Sequence, residues 1–63
     1  MLEYTLFAER DGSRFVVARR VTRAQAAELA NRDEDWPEGH DAVIVGADGE
    51  FCYIDGEEWE PLA

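Results

Sequence analysis

Alternating apolar and polar positions open the chain. In residues 2–9 every even position is apolar and three of the four odd positions are polar, a pattern typical of a half-buried β-strand. Residues 14–20 form a second β-rich segment. Asp11 and Gly12 between them favour the left-handed conformations of a tight turn, so the two segments predict an antiparallel hairpin.

A helix is predicted after the hairpin. Thr22 and Gln25 have the spacing of a capping box, in which each residue caps the other's backbone N–H. The helix is expected to end near Asn31, which tolerates the left-handed conformation that ends many helices. Its apolar positions form a narrow stripe of small residues, which favours close packing on a sheet: Ala26, Ala27, Leu29 and Ala30.

The second half predicts a loop over residues 32–40 and three short strands over residues 42–45, 51–54 and 57–60. The first of these strands is continuously apolar, as a buried central strand would be. Turns at Asp48-Gly49 and Asp55-Gly56 separate the strands. The whole chain, residues 1–63, is therefore expected to form a single α+β domain. Its small antiparallel sheet has four to five strands in the order ββαββ(β), with one helix packed on one face.

Composition limits the function. The 63 residues are 46% hydrophobic and 33% charged, which indicates a globular chain too short for an enclosed catalytic pocket with its supporting shell. We expect a protein that is not an enzyme. The start resembles neither a signal peptide nor a transmembrane segment, and the single cysteine fits a reducing compartment, so a cytoplasmic location is expected.

Charge is distributed unevenly along the chain. Residues 1–32 contain six arginines and four acids, a net charge of +2, whereas residues 33–63 contain eleven acids and no arginine or lysine, a net charge of −11. Clustered like charges destabilise a compact state but steer oppositely charged partners. We therefore expect the second half to bind a basic protein surface and to avoid nucleic acid and anionic membranes.

The residues predicted to contact this partner are acids and two tryptophans of the second half: Asp33, Glu34, Asp35, Trp36, Glu38, Asp48, Glu50, Asp55, Glu57, Glu58, Trp59 and Glu60. On a strand, carboxylates two residues apart lie roughly 6.6 Å from each other on one face, close to the spacing of neighbouring phosphates. Asp48 with Glu50 and Glu58 with Glu60 have this spacing.

Other interpretations of these residues stay open. The acids are solvated surface groups in one interpretation, neutralised in space by arginines of the first half. In another they reflect adaptation to high salt, which the absence of lysine also fits. Trp36 and Trp59 either complete the small core or form aromatic anchors for a partner.

Metal and catalytic motifs fail on spacing. An EF-hand loop that started at Asp33 would have Pro37 at its fifth position and Glu38 where glycine is required. His40 and Cys52 are the only histidine and cysteine, too few for a structural zinc site. A nucleophilic pair would also need an orienting group and an oxyanion pocket. No metal or cofactor is expected.

The order of a hairpin, the Thr-Arg-Ala-Gln-Ala-Ala-Glu-Leu-Ala helix of residues 22–30 and a second hairpin around Asp48-Gly49 and Asp55-Gly56 resembles that of several small anti-CRISPR proteins of phages and mobile elements. The acidic excess resembles that of DNA mimics among anti-CRISPR and anti-restriction proteins. The resemblance implies a cytoplasmic inhibitor, acting as a monomer, that occupies the basic DNA groove of a CRISPR effector complex in its bacterial host. The alternative is an interaction module that binds through a sheet edge and aromatic residues, with charge serving solubility.

Overall fold

The computed structural model describes residues 3–31, 36–53 and 59–62. Within these ranges the chain forms one open antiparallel sheet of five strands and one helix, which confirms the predicted α+β class. In chain order the elements are β1 (Tyr4–Arg10), β2 (Ser13–Val21), α1 (Arg23–Ala30), β3 (Asp41–Gly46), β4 (Gly49–Tyr53) and β5 (Glu60–Pro61). The strand order across the sheet is β2-β1-β3-β4-β5.

The first hairpin is the one predicted. Arg10 pairs with Ser13 across a two-residue turn, and both turn residues have positive φ, 51° at Asp11 and 83° at Gly12. This combination matches the right-handed twist of the strands that the turn joins.

Helix α1 connects two strands that lie on either side of β1. Thr22 accepts a hydrogen bond from the Gln25 N–H, and the Gln25 side chain accepts one from the Thr22 N–H, which confirms the capping box. Asn31 does end the helix, but with φ −86° it is right-handed, so the expected left-handed cap is wrong. Its N–H donates to the carbonyls of Ala27 and Leu29, which closes the last turn of the helix without a left-handed residue.

The core lies between α1 and one face of the sheet. Leu6 and Ile44 are fully buried on adjacent strands, and Ala26 of the helix is fully buried against them. Because Ala26 has only a methyl group, the helix packs close to the strands, as the small-residue stripe predicts. Strand β3 is central and largely buried, also as predicted.

The C-terminal edge differs from its prediction. Strand β5 covers Glu60–Pro61; of the predicted range 57–60, residues 57 and 58 lie outside the described residues and Trp59 is not in a strand. Pro61 is compatible with this place because β5 is an edge strand. The Leu62 N–H then donates to the Glu50 carbonyl at 2.9 Å and holds the end of the chain to β4. No helix in the described part of the chain is long and apolar enough to cross a membrane.

A glycine makes room for the largest core side chain. Tyr4 on β1 is the cross-strand partner of Gly46 on β3, and its ring lies over the glycine. A Cβ atom at position 46 would lie 2.5 Å from Tyr4 Cδ2 and 2.7 Å from Tyr4 Cε2. Only glycine therefore fits there without displacing the ring.

We predict that Gly46→Ala destabilises the fold by about 1–3 kcal/mol, because the added methyl group overpacks the Tyr4 ring. Strand propensity alone would favour alanine over glycine, so the sign of the effect is informative. Urea unfolding followed by circular dichroism measures it. The matched background is Tyr4→Leu, in which Gly46→Ala should cost much less. An equal cost in both backgrounds would refute the steric explanation.

Candidate functional site on the open sheet face

The sheet face opposite α1 is called the open face here. Side chains alternate between the two faces of each strand, so the residues that share this face follow from the strand register. They are Thr5, Phe7, Glu9, Arg14, Val16, Asp41, Val43, Val45, Glu50, Cys52 and Glu60. The face is thus apolar in its middle and charged around it.

An apolar row crosses the middle of the open face. Phe7 on β1 pairs with Val16 on one side and Val43 on the other, and Val43 pairs with Cys52. Val43 is only 1% exposed, although α1 packs on the opposite face. Phe7 and Cys52 are half-buried. The open face therefore excludes water at its centre without a second layer of secondary structure in the described part of the chain.

Arg14 helps to close this face. Its Nη2 atom lies 2.7 Å from Glu9 Oε1 and its Nη1 atom 2.8 Å from Glu50 Oε1. Since β1 and β3 separate β2 from β4, the Arg14–Glu50 ion pair spans two intervening strands. On the way the guanidinium lies 5.5 Å from the Phe7 ring centroid. The hydrogen bond to Glu50 is the largest influence raising the pKa of Arg14.

Three carboxylates at one end of the open face influence the Cys52 thiol. Burial is the main cause that raises the pKa of Cys52, and the negative charges of Asp41, Glu9 and Glu60 raise it further. Glu9 and Asp41 are also direct cross-strand partners. Like charges facing each other in this way destabilise a sheet. We use the name acidic end for Glu9, Asp41 and Glu60.

Asp48 is not part of this surface. It lies in the β3–β4 turn rather than on a strand, so the predicted strand spacing between Asp48 and Glu50 is wrong. Its Oδ2 accepts a hydrogen bond from Tyr4 Oη at 2.8 Å and pairs with Arg23 Nη2 at 3.4 Å. The Arg23 guanidinium also lies 4.3 Å from the Phe51 ring centroid. Asp48 thus holds the start of α1 to the sheet.

The arginines of the first half do neutralise acids of the second half. Arg23 pairs with Asp48 and Arg14 with Glu50, which confirms for these two acids that the halves interleave in space. In contrast, Asp41 forms no ion pair with any described residue. Glu38 and Glu60 share this property, and both are exposed. Asp41 was not among the predicted contact residues, since only the register places it beside Glu9.

The tryptophans contribute to the core. Trp36 is half-buried against it, and its Nε1 donates to the His40 carbonyl at 2.9 Å. Trp59 packs on Tyr53 with ring centroids 4.6 Å apart. These contacts favour the core interpretation over the partner-anchor one. The other six predicted contact residues lie outside the described residues: Asp33, Glu34, Asp35, Asp55, Glu57 and Glu58.

The histidine and the cysteine occupy separate parts of the sheet surface. The His40 ring packs against Phe15 with centroids 5.6 Å apart, and His40 Nδ1 lies 2.9 Å from the Glu38 carbonyl. Cys52 lies on the open face. Among the residues that the structure describes, no three His, Cys, Asp or Glu side chains are grouped so that they could hold a metal ion.

Comparisons with known proteins do not assign a family. No protein-family model matches the chain, and no curated protein or solved structure is significantly similar to it. The inference of function therefore depends on geometry and charge.

We predict that Cys52 reacts slowly with iodoacetamide, with a pH–rate profile displaced to higher pH than that of the urea-unfolded chain. The displacement follows from the raised pKa, because both burial and nearby carboxylates disfavour the thiolate. Since the folded pKa exceeds the unfolded one, the stability contributed by the protonated thiol is complete below the unfolded pKa. It is lost as pH rises through the folded pKa.

Asp41→Asn should move the profile part of the way back, because burial remains. Glu38→Gln is the matched control, since Glu38 does not influence the thiol, and it should leave the profile unchanged. Coincident pH–rate profiles for the folded and unfolded chains would contradict the raised pKa of Cys52.

Proposed function

We propose that this protein is a non-enzymatic inhibitor that occupies the basic nucleic-acid groove of a host defence complex through the acidic end of its open face. The target class, a CRISPR effector in the bacterial cytoplasm, comes from the resemblance to small acidic anti-CRISPR proteins. The mode of binding comes from the charge and the sheet geometry. Inhibition is by occupancy, with one protein bound per groove.

The observation that carries the proposal is the facing pair Glu9 and Asp41. Two carboxylates on directly opposite strand positions oppose folding, and Arg14 compensates only Glu9. Asp41 and Glu60 add charge without a cation among the described residues. A surface organised for stability alone would intersperse both signs, so this arrangement favours a role in recognition.

The geometry suits a phosphate-binding groove. Strands β3 and β5 are separated by β4, so Asp41 and Glu60 are carried on backbones about 9.6 Å apart, two strand spacings. The sheet hydrogen bonds hold the backbones that carry these carboxylates, which lowers the ordering cost of binding. Arginines and lysines that release counterions on binding DNA would meet carboxylates instead of phosphates.

A second function has its own supporting observation. Strand β2 is a long edge strand that exposes three apolar side chains, which fits an interaction module that binds by strand addition. In that case the acidic end serves solubility.

Asp41→Arg separates binding from folding. It converts the Glu9–Asp41 pair into an opposite-charge pair, so the variant should be as stable as the parent or more stable by about 0.2–1 kcal/mol. Combined with Glu60→Arg, it should abolish displacement of fluorescent target DNA from purified CRISPR effector complexes. The assay is DNA-binding anisotropy at two salt concentrations across a panel of effector types.

The matched control is Glu3→Arg/Glu38→Arg, the same charge change at two exposed carboxylates outside the acidic end, which should retain inhibition. Failure of the parent chain to displace DNA from any effector would remove the proposed target class. Undiminished inhibition by the Asp41→Arg/Glu60→Arg variant would remove the acidic end as the contact surface.

A further inference from the structure

Strand β2 forms an unusually open edge of the sheet. It is the longest of the described strands, nine residues, and only β1 pairs with it. The opposite edge is β5, which has two residues and contains Pro61. Long edge strands present unpaired backbone groups that template the pairing of another chain, whereas short strands and proline block it.

The same edge exposes apolar side chains. Phe15, Val16 and Val17 are consecutive, and they are 49%, 39% and 38% exposed. Together they account for three of the four large hydrophobic residues that are exposed in the described part of the chain. Phe15 lies opposite Ala8 and Val16 opposite Phe7, so their side chains are on different faces and an added strand would bury apolar surface on each side of the edge.

The register shows which backbone groups are free. Arg10 and Ser13 close the two-residue turn as a hydrogen-bonded pair, and such pairs alternate with non-hydrogen-bonded ones along an antiparallel ladder. Phe15 is therefore bonded to β1 through its backbone, whereas Arg14 and Val16 direct their N–H and C=O groups outward. These two residues can provide four hydrogen bonds to an added strand.

Two arginines lie farther along the edge. Arg19 and Arg20 are exposed and form no ion pair within the described part of the chain. Arg20 has φ 56°, a left-handed conformation at a register irregularity where glycine would be free of strain. Backbone strain at a residue that keeps a long charged side chain points to a role for that side chain.

From these observations we propose that the β2 edge binds an extended peptide segment of a partner protein, in which apolar residues are followed or preceded by Asp or Glu. The backbone of the segment pairs with Arg14 and Val16, its apolar residues cover Phe15–Val17, and its acids meet Arg19 and Arg20. This site is distinct from the acidic end and does not depend on the inhibitor function.

Charge favours an acidic segment over a second copy of β2 as the occupant. Like charges directly opposite each other destabilise a sheet. The strand has three arginines and no acid, so it complements an acidic strand rather than itself.

The probe is a fluorescein-labelled peptide of alternating valine and glutamate, compared with a scrambled peptide and with one that has lysine in place of glutamate. Only the alternating acidic peptide should bind. In native-state hydrogen exchange it should slow the amides of Arg14 and Val16 while leaving the already protected Phe15 amide unchanged. Equal binding of the lysine peptide, or protection that appears only at β5, would overturn the proposal.

Val16→Pro removes one outward N–H and no bond to β1, so it should fold and bind the peptide about fivefold to tenfold more weakly. Val16→Thr keeps that N–H and is the matched control.

Arg19→Glu/Arg20→Glu should abolish binding of the acidic peptide. Arg20→Gly relieves the left-handed strain, so it should fold well yet bind more weakly. Undiminished binding by both Val16→Pro and Arg19→Glu/Arg20→Glu would overturn the proposal, as would dimerisation of the free chain with Arg14 and Val16 protected.

Discussion

In the described part of the chain one short helix has to stabilise a sheet of five strands, and this constraint shapes the rest of the structure. Helix α1 has eight residues and covers one face, yet the central strand β3 is apolar on both, with Ile44 toward the helix and Val43 away from it. On the face toward the helix, close packing of Ala26 buries Ile44. On the other face the Arg14 guanidinium lies 5.5 Å from the Phe7 ring centroid, and its ion pair with Glu50 crosses the two strands between them.

The same constraint decides which charges are structural. Arg14, which crosses the open face, and Arg23, at the start of α1, both have carboxylate partners in the acidic second half, Glu50 for Arg14 and Asp48 for Arg23. The charge imbalance of the sequence therefore overstates the imbalance of the surface at these positions. The acidic end of the open face remains, where the facing carboxylates of Glu9 and Asp41 destabilise the folded state.

Short-range sequence patterns predicted the helix and the strands well, but they did not predict the long-range contacts. The Asp11-Gly12 turn and the Thr22 capping box depend on neighbouring residues, so the sequence alone was sufficient for both. The Tyr4–Asp48 hydrogen bond joins residues 44 positions apart, and no sequence pattern indicates it. For the same reason Asp48 was assigned to the partner surface, and Asp41, which only the β1–β3 register brings beside Glu9, was missed.

The most direct measurement is a map of the surface that a purified CRISPR effector covers, obtained from the loss of backbone amide signals of the isotopically labelled chain. We predict that signals are lost first around Asp41, Cys52 and Glu60, and that added target DNA restores them. Loss confined to β2 or to α1, or no loss with any effector type, would contradict the claim that the acidic end replaces nucleic acid.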